Sequence, residues 1–425
     1  MHTAPWLLSL CPWVGGLSSG EDWPQYNGER QDRTSSERLG TTSFPAGGPP
    51  QVWKVSTGAG FSSLVVSGGR AYTLVSRSVD GAQREVVLGL DASNGKELWA
   101  TPLSAADYDG GGDAGADENK GGDGPRCTPS VVDGRVYALD ARLVLACLDA
   151  ERGTVLWKHD LVAEFGGRLI QWQNAASPLV EGALVFVAGG GPGQSLLAFD
   201  AQTGALAWAS GDERMTHATP VAATIQGTRQ VLFFVQSGLI SVVPASGVVL
   251  WRTEFPYRTS SAASPVVAGD IVYCSAGYGI GAAAWRIQVQ GDALVPELLW
   301  RQPNKLVNHW STPVARDGCL YGMFSFKEYG KGPLLCVDLA TGTERWSQAG
   351  FGPGNCILVG STLVALSDSG ELVLVEPTPD AYRELARADV LEGKCWSSPA
   401  FSDGSLYLRS TREAVKIDMS GGGVR

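Results

Sequence analysis

Aromatic, amide and cationic side chains recur at one place in this chain, just ahead of a repeated proline phrase. Counting three residues back from that proline, or its equivalent, gives Phe61, Arg126, Ala175, His217, Ala262, Trp310, Gly354 and Trp396. Just upstream stand Gln171, Trp172, Gln173, Asn174, Tyr257, Arg258, Asn308, His309, Asn355 and Lys394. Flat rings beside convergent amides and cations can stack a planar or sugar-like ligand and hydrogen-bond its rim, because binding pockets pair apolar walls with a few placed polar groups. The candidate binding set is therefore Arg126, Trp172, Asn174, His217, Arg258, Asn308, His309, Trp310, Lys394 and Trp396. The same residues can equally plug and solvate a channel. None of them is a carboxylate, so the set names neither a general base nor an anionic ligand for Ca²⁺, and no catalytic residue is assigned.

Two repeated phrases must position these side chains. The first is a small polar pair, Pro, two apolar residues, a Gly turn and a Tyr-ended apolar run, as at 128–137, with further copies at 177–186, 264–273, 311–321 and 398–407. Worn copies begin at Ser62 and Thr219 and lie around Cys356, which makes eight. The second phrase ends in Trp, at Trp53, Trp99, Trp157, Trp208, Trp251, Trp300 and Trp346, on a period of about 50 residues that marks a repeat protein. Before four of these tryptophans stands Asp, a tight turn and Gly, as at 338–346. Each unit reads as four short antiparallel strands, a propeller blade, with the Trp pinning it to its neighbour.

Eight blades predict an all-β, eight-bladed β-propeller over 50–420. The last blade lacks a fourth strand at the C-terminus, so the segment around Trp53 is expected to supply it and close the ring. The inner strands then converge on a channel, and the candidate set rings its mouth.

Composition agrees with a single large all-β body: 425 residues, 44% apolar, with 55 Gly, 23 Pro and 14 Trp. A net charge of −10 weighs against nucleic acid, which requires clustered cations. Residues 1–20 carry an apolar stretch followed by small residues and read as a signal peptide, with 21–49 an N-terminal extension and a periplasmic or secreted location. No transmembrane span is predicted. The eight cysteines are scattered, without an adjacent pair, and read as buried thiols.

An acidic, glycine-rich insertion at 104–124 places Asp107, Asp109 and Glu118 at first, third and twelfth positions, a partial match to a calcium loop with no flanking helix. They are weak Ca²⁺ candidates beside the simpler reading of a solvated loop. His217 and His309 both fall at the mouth, without a third ligand at metal spacing.

The AspXxxXxxThrGlyXxxXxxXxxTrp phrase at 338–346 resembles the tryptophan-docking motif of the quinoprotein-type eight-bladed propellers. AspTrpProGlnTyrAsnGly at 22–28 is similar to the opening of exported pyrroloquinoline-quinone-like repeat proteins, a superfamily that includes the propeller subunit of the outer-membrane β-barrel assembly machine. That resemblance implies two alternatives. One is a non-catalytic, monomeric scaffold in the cell envelope that offers its mouth to a protein, peptide or carbohydrate. The other is an oxidoreductase of alcohols or sugars with pyrroloquinoline quinone stacked on Trp310 or Trp396 beside Ca²⁺. The motif itself staples blades and touches no cofactor.

Overall fold

The structure, a computed structural model, describes residues 20–108, 124–258 and 261–421. The signal-peptide reading and the candidates Asp109 and Glu118 fall outside these residues. Eight sheets, each built on four antiparallel strands, follow one another along the chain, at 65–105, 130–160, 179–210, 221–252, 266–302, 314–348 and 355–389, with the eighth at 400–418, and Thr34–Ser35 adds a fifth, parallel strand to the seventh. The only helix among the described residues is Leu161–Phe165, capped by Asp160. This is the expected eight-bladed propeller, and its closure is the expected one. Gln51–Ser56 forms the outer strand of blade eight, pairing antiparallel with Glu413–Asp418.

The small polar residue before each proline has a structural task. The backbone N–H of Ser398 donates to the Ser63 hydroxyl (2.7 Å), Ser63 to Thr128 (3.0 Å), Thr128 to Ser177 (2.8 Å), and Ser177 to Thr219 (3.0 Å). Ser264 donates to Thr312 in the same way (3.0 Å). Each hydroxyl thus takes an orphan donor from the preceding blade, tying the innermost strands together at one height in the channel.

The docking tryptophans work at the rim. Trp53, Trp99, Trp157, Trp208, Trp300 and Trp346 each donate their indole N–H to a backbone carbonyl of the next blade: Ala92, Ala150, Ala201, Pro244, Leu339 and Thr378, at 2.7–3.2 Å. Five of the six rings lie on the turn glycine of that blade. A methyl added at Gly95, Gly153, Gly204, Gly247 or Gly342 would come within 2.9 Å of the ring. These glycines also have positive φ, so the turn requires Gly for both reasons.

Trp251 departs from the pattern. Its N–H donates to Gln230 Oε1 of its own blade (2.7 Å). Blade five replaces the Asp–Gly turn with ten-residue strands, Gly281–Gln290 and Ala293–Gln302, and so offers no glycine shelf. The ring stays 4% exposed, inside the core shared by blades four and five.

The seven described cysteines are free and buried. Among the described residues no helix is long and apolar enough to cross a membrane.

Candidate functional site

A cavity of about 170 Å³ opens at one end of the channel. Seven of the eight positions three before the proline line it: Phe61, Arg126, Ala175, His217, Ala262, Trp310 and Trp396. They converge because every inner strand starts at the same height, so one repeat position becomes one ring of side chains. Gly354 is the exception.

Trp172 and His309 join this lining from the upstream segments. Trp172 and Gln173 both have φ near +60°, an uncommon conformation for non-glycine residues that turns the indole into the mouth. The Arg126 guanidinium donates to the Trp172 carbonyl and fixes that turn. Lys394 stands 5.9 Å over the ring of Trp396.

Three other candidates lie elsewhere. Asn174 is 1% exposed, and its amide donates to the carbonyls of Leu139, Asp140 and Ala176. Asn308 is fully buried, donating to Met323 O (2.8 Å) and accepting from Tyr273 Oη (2.6 Å). Both amides are used up in bracing loops. Arg258 is exposed and borders an adjoining recess with Pro256, Tyr257, Ile280 and Tyr278, the last shared with the mouth cavity. Asp107 pairs with Arg142 on the surface.

The lining also contains Tyr26, Ser63, Thr219, Tyr278, Lys327 and Tyr329. Tyr278 and the pair Lys327 and Tyr329 sit between the second and third strands of blades five and six, where no repeat phrase points to them. PheSerPheLysGluTyr at 324–329 was nevertheless a visible aromatic run.

Tyr26 arrives from the N-terminal segment. That segment runs along the free edges of the innermost strands: Trp23 pairs with Val66, Pro24 O accepts from Val131 N, Gln25 bonds Val180, and Thr34–Ser35 pairs with Leu358 and Val359. Arg33, 1% exposed, anchors it by donating to Cys356 O (2.9 Å), Asn355 Oδ1 (3.2 Å) and Ser398 Oγ (2.6 Å). The segment thus satisfies inner-edge backbone groups and furnishes part of the cavity wall.

The rings form stacks. Trp172 lies on Tyr278 at 6.1 Å and 17°. Trp396 stacks with Phe61 (4.7 Å, 16°) and Tyr329 (5.9 Å, 14°) and tilts against Trp310 (4.6 Å). Burial, then the nearby Arg126, pushes the His217 pKa down to about 3; burial, then Lys327, does the same for His309. Both imidazoles are neutral near pH 7.

Behind Arg126 lies a buried acid pair. Glu85 is 1% exposed, accepting from Tyr108 Oη (2.6 Å) and Ala141 N (3.0 Å). Burial, then the neighbouring Asp140, raises its pKa to about 7. The folded protein therefore holds an extra proton between the ordinary carboxylate range and about pH 7, and stability falls as pH rises through that window. Glu85→Gln should be more stable than wild type by about 3 kcal/mol at about pH 8 and nearly equal at about pH 5. Urea unfolding at the two pH values measures this; a constant difference would refute it.

Pyrroloquinoline quinone with Ca²⁺ does not fit this lining. Trp396 already packs against three protein rings. The lining supplies rings, hydroxyls, imidazoles and cations, whereas Ca²⁺ takes carboxylate and carbonyl oxygens. Asp368, whose carboxylate feels Lys394, is not part of this lining and uses one oxygen to hold Gly330 N (2.9 Å).

Comparison with known proteins places the fold in context. The crystal structure of BamB from Moraxella catarrhalis superposes with a TM-score of 0.61 at 15% identity, covering 88% of this chain and 99% of that one. The quinohemoprotein alcohol dehydrogenase of Comamonas testosteroni gives 0.61 at 14% identity, covering 95% and 81%. Both likenesses concern the fold alone. In sequence, the outer membrane protein assembly factor BamB of Moranella endobia (strain PCIT) is 23% identical over 294 residues, 66% of this chain and 71% of its own length. The family model described as outer membrane protein assembly factor BamB matches residues 83–348. With well over half its length matched, the chain belongs to the BamB family of pyrroloquinoline-quinone-like propellers.

Proposed function

We propose that this protein is an exported, non-catalytic scaffold in outer-membrane protein assembly, and that it docks a protein partner at its channel mouth. The family membership supports the assembly role. Export rests on the apolar stretch and small residues of 1–20. The observation that carries the docking reading is the aromatic mouth. Tyr278 and Tyr329 are 36% and 38% exposed on a rim backed by Trp172, Trp310 and Trp396. Rigid aromatic groups with a cationic fringe are the composition of interface hot spots.

The double variant Trp310→Ala, Trp396→Ala tests this. Its blades should stay folded, because the repeated docking tryptophans are untouched and the change removes one inter-blade bond, from Trp310 Nε1 to Pro353 O (2.9 Å). A photoreactive residue placed at Tyr329 should cross-link one envelope protein in cells of the source bacterium, and the double variant should lose that adduct by at least about tenfold, the effect of removing one strong hot spot. An adduct of unchanged yield, with an unchanged circular dichroism spectrum, would move the partner site off the mouth.

A further inference from the structure

We infer that the cavity beneath this mouth is a binding site for a small, single-ring aromatic carboxylate. The inference goes beyond partner docking: it concerns a small molecule inside the cavity, whose wall shares Tyr278 and Tyr329 with the docking rim.

Size sets the first limit. At about 170 Å³, the space is close to the ~150 Å³ of an apolar cavity that takes up benzene. A benzoate-sized molecule matches this, and a tricyclic tricarboxylate does not.

Shape comes next. Trp172 and Tyr278 on one side and Phe61, Trp310, Tyr329 and Trp396 on the other border the space, so aromatic groups line it from different blades. Aromatic faces and edges favour another flat ring over an aliphatic one of equal size.

Charge gives the sign. Arg126 and Lys327 line the cavity, and no Asp or Glu does among the described residues, although the whole chain carries −10. Lys327 Nζ sits 5.2 Å over Tyr278, beside the cavity. A cationic, partly desolvated cleft attracts an anion and holds it by charge-assisted hydrogen bonds.

The wall beside the rings is closely packed around His309. His309 is 9% exposed and touches Tyr278, Trp310 and Phe326 through its ring. Its Nδ1 has no hydrogen-bond partner among the described residues. The Gly277 backbone packs against that nitrogen, since a Cβ there would come within 2.8 Å of it.

The experiment is calorimetric titration of the full chain, backed by ligand-observed NMR, with benzoate, cyclohexanecarboxylate, benzamide and pyrroloquinoline quinone. Benzoate should bind saturably, with cyclohexanecarboxylate and benzamide about tenfold weaker for want of ring stacking or charge. Lys327→Gln and Arg126→Gln should each weaken benzoate by about tenfold, with melting curves reporting that the fold persists. Absence of saturation by benzoate overturns the inference. So does equal binding of cyclohexanecarboxylate, equal binding of benzamide, affinity untouched by both variants, or preference for the quinone. A partner cross-link of unchanged yield in the Trp310→Ala, Trp396→Ala variant, beside saturable benzoate binding to the wild type, would leave this site standing while the docking reading fell.

Discussion

Deleting residues 50–56 is expected to abolish cooperative folding, because it removes the strand that turns eight blades into a closed ring. The strand pairs along its length with the C-terminal strand, Trp53 opposite Lys416 and Val55 opposite Ala414. Trp53 is 7% exposed, donates to Ala92 O across the blade boundary (3.0 Å) and lies over Gly95. Just beyond, Arg409, fully buried, donates to Ser62 O (2.6 Å) and Gly58 O (2.8 Å), so blade eight is bolted to the entry of blade one as well. Without the strand, blade eight exposes its edge and blade one loses its neighbour's staple. Trp53→Ala isolates the packing part and should cost about 3–5 kcal/mol, the range for truncating a buried aromatic. Urea midpoints and slopes measure both. A deletion that melted where wild type melts would show that the ring does not need this closure.

The readable parts of the molecule are those that repeat. A position three before proline maps to one height in the channel, so a linear count recovered seven cavity-lining residues. The Trp and its glycine were likewise legible, since both belong to one contact made at blade after blade. What could not be read was non-repeating. Tyr278, Lys327 and Tyr329 hang from loops peculiar to blades five and six, and Tyr26 is brought in by a segment threaded through contacts distant in sequence. Asn174 and Asn308 had the right chemistry at the right place, but each turns inward to satisfy backbone carbonyls, which outcompete the cavity for a buried amide. Trp251 kept its period and lost its role because the next blade lacks the turn that would receive it.

Acid should destabilise the protein through the two mouth histidines, once an opposing contribution is removed. In the folded state burial holds both His217 and His309 near a pKa of about 3, while the unfolded chain titrates at the ordinary imidazole value. Below that value the unfolded state binds more protons, so stability falls with pH from the ordinary imidazole range down to about 3. At about pH 5 the loss is about 2 kcal/mol for each histidine, about 4 kcal/mol together, relative to about pH 8. Glu85 acts in the reverse sense over part of the same range, gaining stability as pH falls below about 7. Wild type should therefore show a shallow pH profile that conceals two steep ones. Glu85→Gln should expose the full acid loss, and adding His217→Gln and His309→Gln to it should abolish most of that loss. Urea midpoints of the single and triple variants at the two pH values decide the matter, since an equal acid loss in both would exclude the mouth histidines as its source.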